Sequence, residues 1–160
     1  MIERSDIIRK LGIFFIGLLA SGVWLGCSGD HTDSEGSGHG HYHAAPHGGS
    51  LAMLGDHLAQ LELVAGLNPG EWSIYVLDGG AERFVGVEES QISVTMDGQK
   101  VVFQAVANSA TGESVGDTSQ FTGSVKGLSK EDQFAVRIGE IVVYRQSFKN
   151  IEFDYPEGKH

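Results

Sequence analysis

The chain has one cysteine, Cys27, in 160 residues. A single cysteine makes no internal disulfide and no C-x-x-C site, so it is free, paired between molecules or modified. The chain has no H-E-x-x-H metalloprotease motif and no P-loop. No spacing singles out a Ser, His and Asp set, so catalysis is not expected. Basic residues are also scarce. Eleven Lys and Arg stand against 21 Asp and Glu, a formal charge of −10. Phosphate contact needs clustered Lys and Arg, so nucleic acid is excluded as a partner. Such a chain is repelled by anionic membrane surfaces and attracts cations. No stretch of 12 residues carries a helical stripe, and no internal repeat is present, so a helical or solenoid fold is not expected. The apolar run Leu11 to Gly26, which carries no charge, is shorter than the roughly 20 residues of a membrane-spanning helix.

That run has the length of the apolar core of a secretory signal, and it follows Arg4, Arg9 and Lys10. It ends in "WLGC", residues 24–27, which resembles the lipobox of bacterial lipoproteins. Gly26 suits the position before the cysteine, and Trp24 stands where the pattern usually has Leu. The resemblance implies that residues 1–26 are removed and that Cys27 becomes a lipidated N-terminus. Ser28, rather than Asp, then points to the outer membrane, facing the periplasm. Without a working lipobox the product is secreted or periplasmic. Acyl chains do the anchoring, at about 0.8 kcal/mol per buried CH₂. The leader takes three of the 11 basic and two of the 21 acidic residues with it, leaving 8 against 19 and a formal charge of −11.

Residues 27–45 are Ser, Gly, Asp and His with almost nothing apolar. They bury too little to offset the entropy of ordering, and so read as a flexible tether. Residues 46–155 form one domain of ordinary size, followed by a short tail, 156–160. Period-two alternation runs through "QLELV" (60–64), "EWSIYVLDG" (71–79), "QISVTM" (91–96), "KVVFQAVA" (100–107), "QFAVRIGEIVVY" (133–144) and "KNIEFDY" (149–155), and Gly48-Gly49 permits a bend into a further strand, "SLAML" (50–54). Asn68-Pro69-Gly70 separates two of these runs. Asp97-Gly98, a favoured two-residue hairpin turn, separates another two. Residues 108–119 read as a long surface loop. Ser129 and Asp132 can cap a single turn. The expected fold is all-β, an antiparallel β-sandwich of the immunoglobulin-like kind, with a small barrel as the alternative.

The distinctive stretch is 45–82. Its Pro46, His47, Gly48, Gly49, Leu51, Leu54, Gly55 and Asp56 are followed by Leu61, Glu62, Leu63 and Val64, then by Tyr75, Val76, Leu77 and Asp78. This resembles a group of small bacterial exported proteins with the pattern PHGG-L-x-x-L-G-(D/E), then H-L-E-L-V, then x-Y-V-L-D. Gln60 stands where that pattern often has His. Comparable His-Gly-Gly segments occur in proteins of heavy-metal efflux. The resemblance therefore implies metal handling, with an efflux or other envelope protein as partner.

The residues themselves bear on the same point. Four of seven histidines, His39, His41, His43 and His47, lie within 39–49. Imidazole binds Cu²⁺, Zn²⁺ and Ni²⁺ well. On an extended chain, residues two apart are separated by about 6.6 Å, too far to share one ion at metal–nitrogen distances of about 2.0 Å. His39, His41 and His43 are thus expected to capture metal loosely, or simply to be solvated. His47, held between Pro46 and Gly48-Gly49, is a candidate ordered ligand. Its alternative role is to brace the turn. In a hairpin of 50–54 with 58–64, His47 and His57 approach opposite ends, so a site shared by the two needs the chain to fold back; the alternative is Glu62 across the strand pair near His47, a His-plus-carboxylate set. Asp78 is expected to accept turn hydrogen bonds. Two functions remain open: a lipid-anchored transition-metal-binding protein using His39, His41, His43, His47 and His57, or a non-catalytic interaction or structural module tethered at the membrane.

Overall fold

A computed structural model describes residues 44–159. Cys27, His39, His41 and His43 lie outside the described residues. The described chain is all-β, with eight antiparallel strands and no helix. These are β1 (Ser50–Leu54), β2 (Ala59–Ala65), β3 (Glu71–Asp78), β4 (Gln91–Met96), β5 (Gln99–Ala105), β6 (Gln120–Ser124), β7 (Phe134–Val143) and β8 (Gln146–Tyr155). They make one sheet in the order β1-β2-β3-β6-β5-β4-β7-β8, coiled into a nearly closed, barrel-like sandwich.

Alternation drives this arrangement. On β3, Trp72, Ile74 and Val76 are buried, while Ser73 and Tyr75 face outward. On β4, Ile92, Val94 and Met96 point inward. The interior is filled by large side chains, among them Trp72, Phe103, Phe121 and Ile138. Trp72 meets Phe134 and Tyr155 edge-on, at ring separations of 5.4 and 5.1 Å. Such T-shaped pairs favour the ring quadrupoles and add to the gain from burial.

Asp97 and Gly98 link β4 to β5 with left-handed φ of 47° and 74°, the two-residue turn expected there. Gly70 turns β2 into β3 at φ 81°. Asp132 accepts hydrogen bonds from both the backbone and the hydroxyl of Ser129, closing the anticipated single turn. Strand β6 is the element that alternation did not announce. Its five residues bury one large apolar side chain, Phe121, and include Gly123, over which the Phe103 ring lies. Residues 156–159 do not trail away. The chain turns back after β8, and Lys159 pairs with β1: its N–H donates to the Leu51 carbonyl, and its carbonyl accepts from the Met53 N–H. This strap bridges the gap between the first and last strands.

Candidate functional site

The outer face of β2 and β3 carries the site. The inward positions of β2 are Leu61 and Leu63, so Gln60 and Glu62 fall on the opposite face. Glu62 lies directly across from Tyr75 in the β2–β3 pairing. The chain entering the domain crosses this face. Gly48 donates to the Ala45 carbonyl in a tight turn, and Ala45 packs against Leu51, Leu77 and Ala81. Gly49 then lies hard against β2. A Cβ there would strike the Leu63 carbonyl and come within 2.8 Å of Val64.

This close approach seals Glu62, whose exposure is 0 %. A buried carboxylate is costly unless its oxygens are satisfied. Oε1 accepts from the backbone N–H of His47 (2.8 Å) and of Gly49 (3.0 Å), and Oε2 lies 2.8 Å from Nδ1 of His47. The "PHGG" bend and the "LEL" strand are therefore one unit. The bend supplies two backbone donors and a ring, and the strand supplies the acceptor.

The His47 ring is fixed on its faces as well. It stacks on Tyr75 with ring centres 4.0 Å apart and planes 18° apart, and Phe84 tilts against both rings. The Tyr75 hydroxyl accepts from the Gln120 side chain at 3.1 Å, which ties the stack to β6. A carboxylate only accepts, so Nδ1 is the donor in the neutral ring and the lone pair sits on Nε2. The His47 side chain is 33 % exposed, and no described group bonds to Nε2.

The other anticipated residues fall elsewhere. His57 occupies the β1–β2 turn at φ 54°, exposed, with its carbonyl against Gly79. It is at the opposite end of the hairpin from His47, and the fold does not bring the two together. Gln60, at the position where the resembling pattern often has His, is buried and donates to the Gly79 carbonyl at 2.8 Å. Asp78 serves the turn as expected. Its Oδ1 accepts from the backbone of Glu82 and Arg83, and its Oδ2 holds the Arg83 side chain at 2.8 Å. The Arg83 hydrogen bond, with those backbone donors, keeps the Asp78 carboxyl below its ordinary range. Among the described residues, no three His, Cys, Asp or Glu side chains gather closely enough to hold a metal ion.

Two features escaped the sequence reading. Tyr75 and Phe84 complete the site as its stacking partners; only the shared outward phase of Tyr75 and Glu62 signalled this. In addition, Gly112-Glu113-Ser114-Val115-Gly116 does spell G-x-S-x-G, the pattern of a nucleophile elbow. An elbow joins a strand to a helix. Here the pattern lies between short bridges (Asn108 with Glu113, Ser114 with Asp117), and no helix follows. The Glu113 carboxylate is occupied by Ser119 and Thr111.

Comparison of the chain with protein-family models, with curated proteins and with solved structures gives no match.

Proposed function

We propose that this chain is a lipid-anchored extracytoplasmic protein that binds a transition metal ion, Cu, Zn or Ni, for buffering or for delivery to an efflux or other envelope partner. One observation carries the reading: the Nδ1 side of His47 is bonded to the buried Glu62, which leaves Nε2 as the lone-pair donor. Ligating histidines nearly always give their other ring N–H to a carboxylate or carbonyl, which fixes the tautomer and strengthens the ligand. Stacking on Tyr75 restrains the ring further. One imidazole is an incomplete ligand set, and His39, His41 and His43 lie four to eight residues upstream on the same chain. In this reading they complete the coordination, His57 is a separate, weaker ligand, and Cys27 carries the lipid. The acidic surface favours cation capture.

Calorimetric titration of the chain from Cys27 onward with Cu²⁺, Zn²⁺ and Ni²⁺ tests it. Micromolar binding that weakens both in His47→Ala and on deletion of 31–43 is expected. Binding that survives His47→Ala but disappears with the deletion assigns the metal to the upstream histidines alone. No binding of any of the three ions sinks the metal reading. A non-catalytic, membrane-tethered interaction module then takes its place, a reading favoured by the lack of a three-ligand cluster among the described residues. Membrane retention of Cys27→Ala would contradict the lipid anchor.

A further inference from the structure

Strand β4 turns Ile92, Val94 and Met96 inward, so Ser93 and Thr95 face out. Register then builds a row on that outer face. Thr95 lies opposite Lys100 of β5 and opposite Arg137 of β7, and Arg137 lies opposite Glu152 of β8. Neighbouring strands are about 4.8 Å apart, so Lys100 and Arg137 stand about 10 Å apart with a hydroxyl between them. Only eight basic residues follow Cys27, and two of them share this row. Like charges so placed repel each other.

The next row leaves a hollow. Ser93 lies opposite Val102, and Gly139 beside it has no side chain; a Cβ there would lie 3.4 Å from the Ser93 carbonyl. Asn150, at a left-handed φ of 50°, drops out of register pairing with Gly139. The result is a groove of about 510 Å³, with Lys100 and Val102 on the β5 side and Arg137 and Asn150 on the β7–β8 side. That volume lies within the roughly 300–1,000 Å³ of small-ligand sites. No carboxylate lines it. The Lys100 ammonium has no hydrogen-bond or ion-pair partner among the described residues. Arg137 is paired with Glu152, but both side chains are 59 % exposed, and an exposed pair of this kind contributes little.

We infer that this groove binds a phosphate dianion, free or as the monoester of a small molecule. Lys and Arg side chains are long enough to converge on one anion above Thr95, whose hydroxyl can donate to it as well. A cation would meet two positive charges and no lining carboxylate. A neutral ligand leaves the repulsion between Lys100 and Arg137 in place. A monocarboxylate offers Arg137 only what Glu152 already provides. A dianion offsets both cations at once, and a phosphate ester carries close to two charges at neutral pH. Val102, apolar and exposed, stands beside the cations as the wall for the organic part of an ester. The groove shares no residue with the His47–Glu62 site, so the inference stands apart from the metal reading.

The test titrates the chain from Cys27 onward, at neutral pH, with inorganic phosphate and with glucose 1-phosphate, and follows backbone amide shifts. Acetate is the monocarboxylate control. Saturable shifts at Ser93, Thr95, Gly139 and Asn150 are expected with at least one phosphate probe. Lys100→Gln and Arg137→Gln should each weaken binding about tenfold or more, the usual loss of a charge-assisted hydrogen bond. Glu152→Gln frees Arg137 and should tighten binding, which a merely structural ion pair would not do. Gly139→Leu fills the hollow and should abolish binding at an unfolding temperature near the parent's. Where that variant does not fold, the three exposed-residue variants decide. Tighter binding of the ester than of phosphate assigns its organic part to Val102, and equal binding assigns free phosphate. The inference is overturned if neither phosphate probe saturates, if acetate binds as well as they do, if Lys100→Gln leaves the affinity unchanged, or if Glu152→Gln lowers it.

Discussion

The side chain of His47 and that of Glu62, 15 residues apart in sequence, meet at 2.8 Å, and Glu62 meets the backbone of the same histidine at the same distance. A single buried carboxylate therefore holds both the fold of the entry segment and the orientation of the imidazole. Glu62→Gln keeps the shape but loses the charge and one acceptor oxygen. An unsatisfied buried donor costs about 1–3 kcal/mol, and a destabilisation of that size is expected in urea denaturation. On the proposed metal reading, affinity should also fall by about 10- to 100-fold, the usual effect of losing a carboxylate behind a ligating histidine.

His47→Phe separates the ring's two roles. Phenylalanine can stack on Tyr75 but offers Glu62 nothing. The variant should be less stable than the parent, and a double-mutant cycle with Glu62→Gln should return a coupling of about 0.5–3 kcal/mol, the range for residues in contact. A coupling near zero would mean that the pair contributes nothing beyond its separate parts.

Two glycines should resist substitution for a steric reason. A Cβ at Gly123 lies 2.6 Å from the Phe103 ring, which is fully buried. One at Gly49 meets the Leu63 carbonyl, which belongs to the strand itself. Gly123→Ala is expected to cost about 1–3 kcal/mol, the usual range for overpacking. Gly49→Ala should in addition weaken His47, since it lifts the bend off Glu62. Gly48→Ala is the control. Its Cβ meets nothing, so only the left-handed φ of 69° opposes it.

Period-two alternation made most of the sheet legible: "QISVTM" matches β4 residue for residue and buries one face, whereas β1 and β2 are buried on both faces because the entry segment crosses them. β6 was not legible. Phe121 alone carries its inward face, and Gly123 is explained only by the Phe103 ring that arrives from β5. The site was half legible. The hairpin register put His57 at the far end from His47 and offered Glu62 near His47 as the alternative partner. Phe84 was hidden, because its place depends on residues 83–85 continuing beside the end of β3, where Asp78 accepts Arg83 and Val85 donates to Val76. Nothing in the local pattern of "ERFVG" encodes that contact.

Asp78 gives the stability a defined pH dependence. Its folded-state carboxyl titrates below the unfolded one, mainly through the Arg83 hydrogen bond and then through the Glu82 backbone. The folded state therefore holds fewer protons near that range. The stabilisation is complete above the ordinary aspartate value of about 3.9 and is lost as pH falls through the lower folded-state value. Asp78→Asn removes this component. The stability difference between parent and variant, followed by thermal melts from pH 6 downward, should be constant to about pH 5 and then shrink. A difference that grows on acidification would contradict the assignment.

The strap after β8 yields the last prediction. Lys159 satisfies the Met53 N–H and the Leu51 carbonyl, and Gly158 lies against the backbone of Leu51, where a Cβ would clash. Removing 156–160 leaves those two groups on β1 unpaired, and with them an open strand edge. Unprotected edges pair with other chains. The truncated chain should lose about 1–3 kcal/mol, from two hydrogen bonds and their packing. It should also show association that rises with concentration in sedimentation velocity, where the full domain does not. The exposed edge is distant in sequence from Glu62 but lies on the strand that begins at Ser50, next to the Gly49 donor. Truncation should therefore loosen the entry bend too, and Gly49 amide exchange should report it. Unchanged Gly49 protection in the truncated chain would show that the bend is held by Glu62 alone.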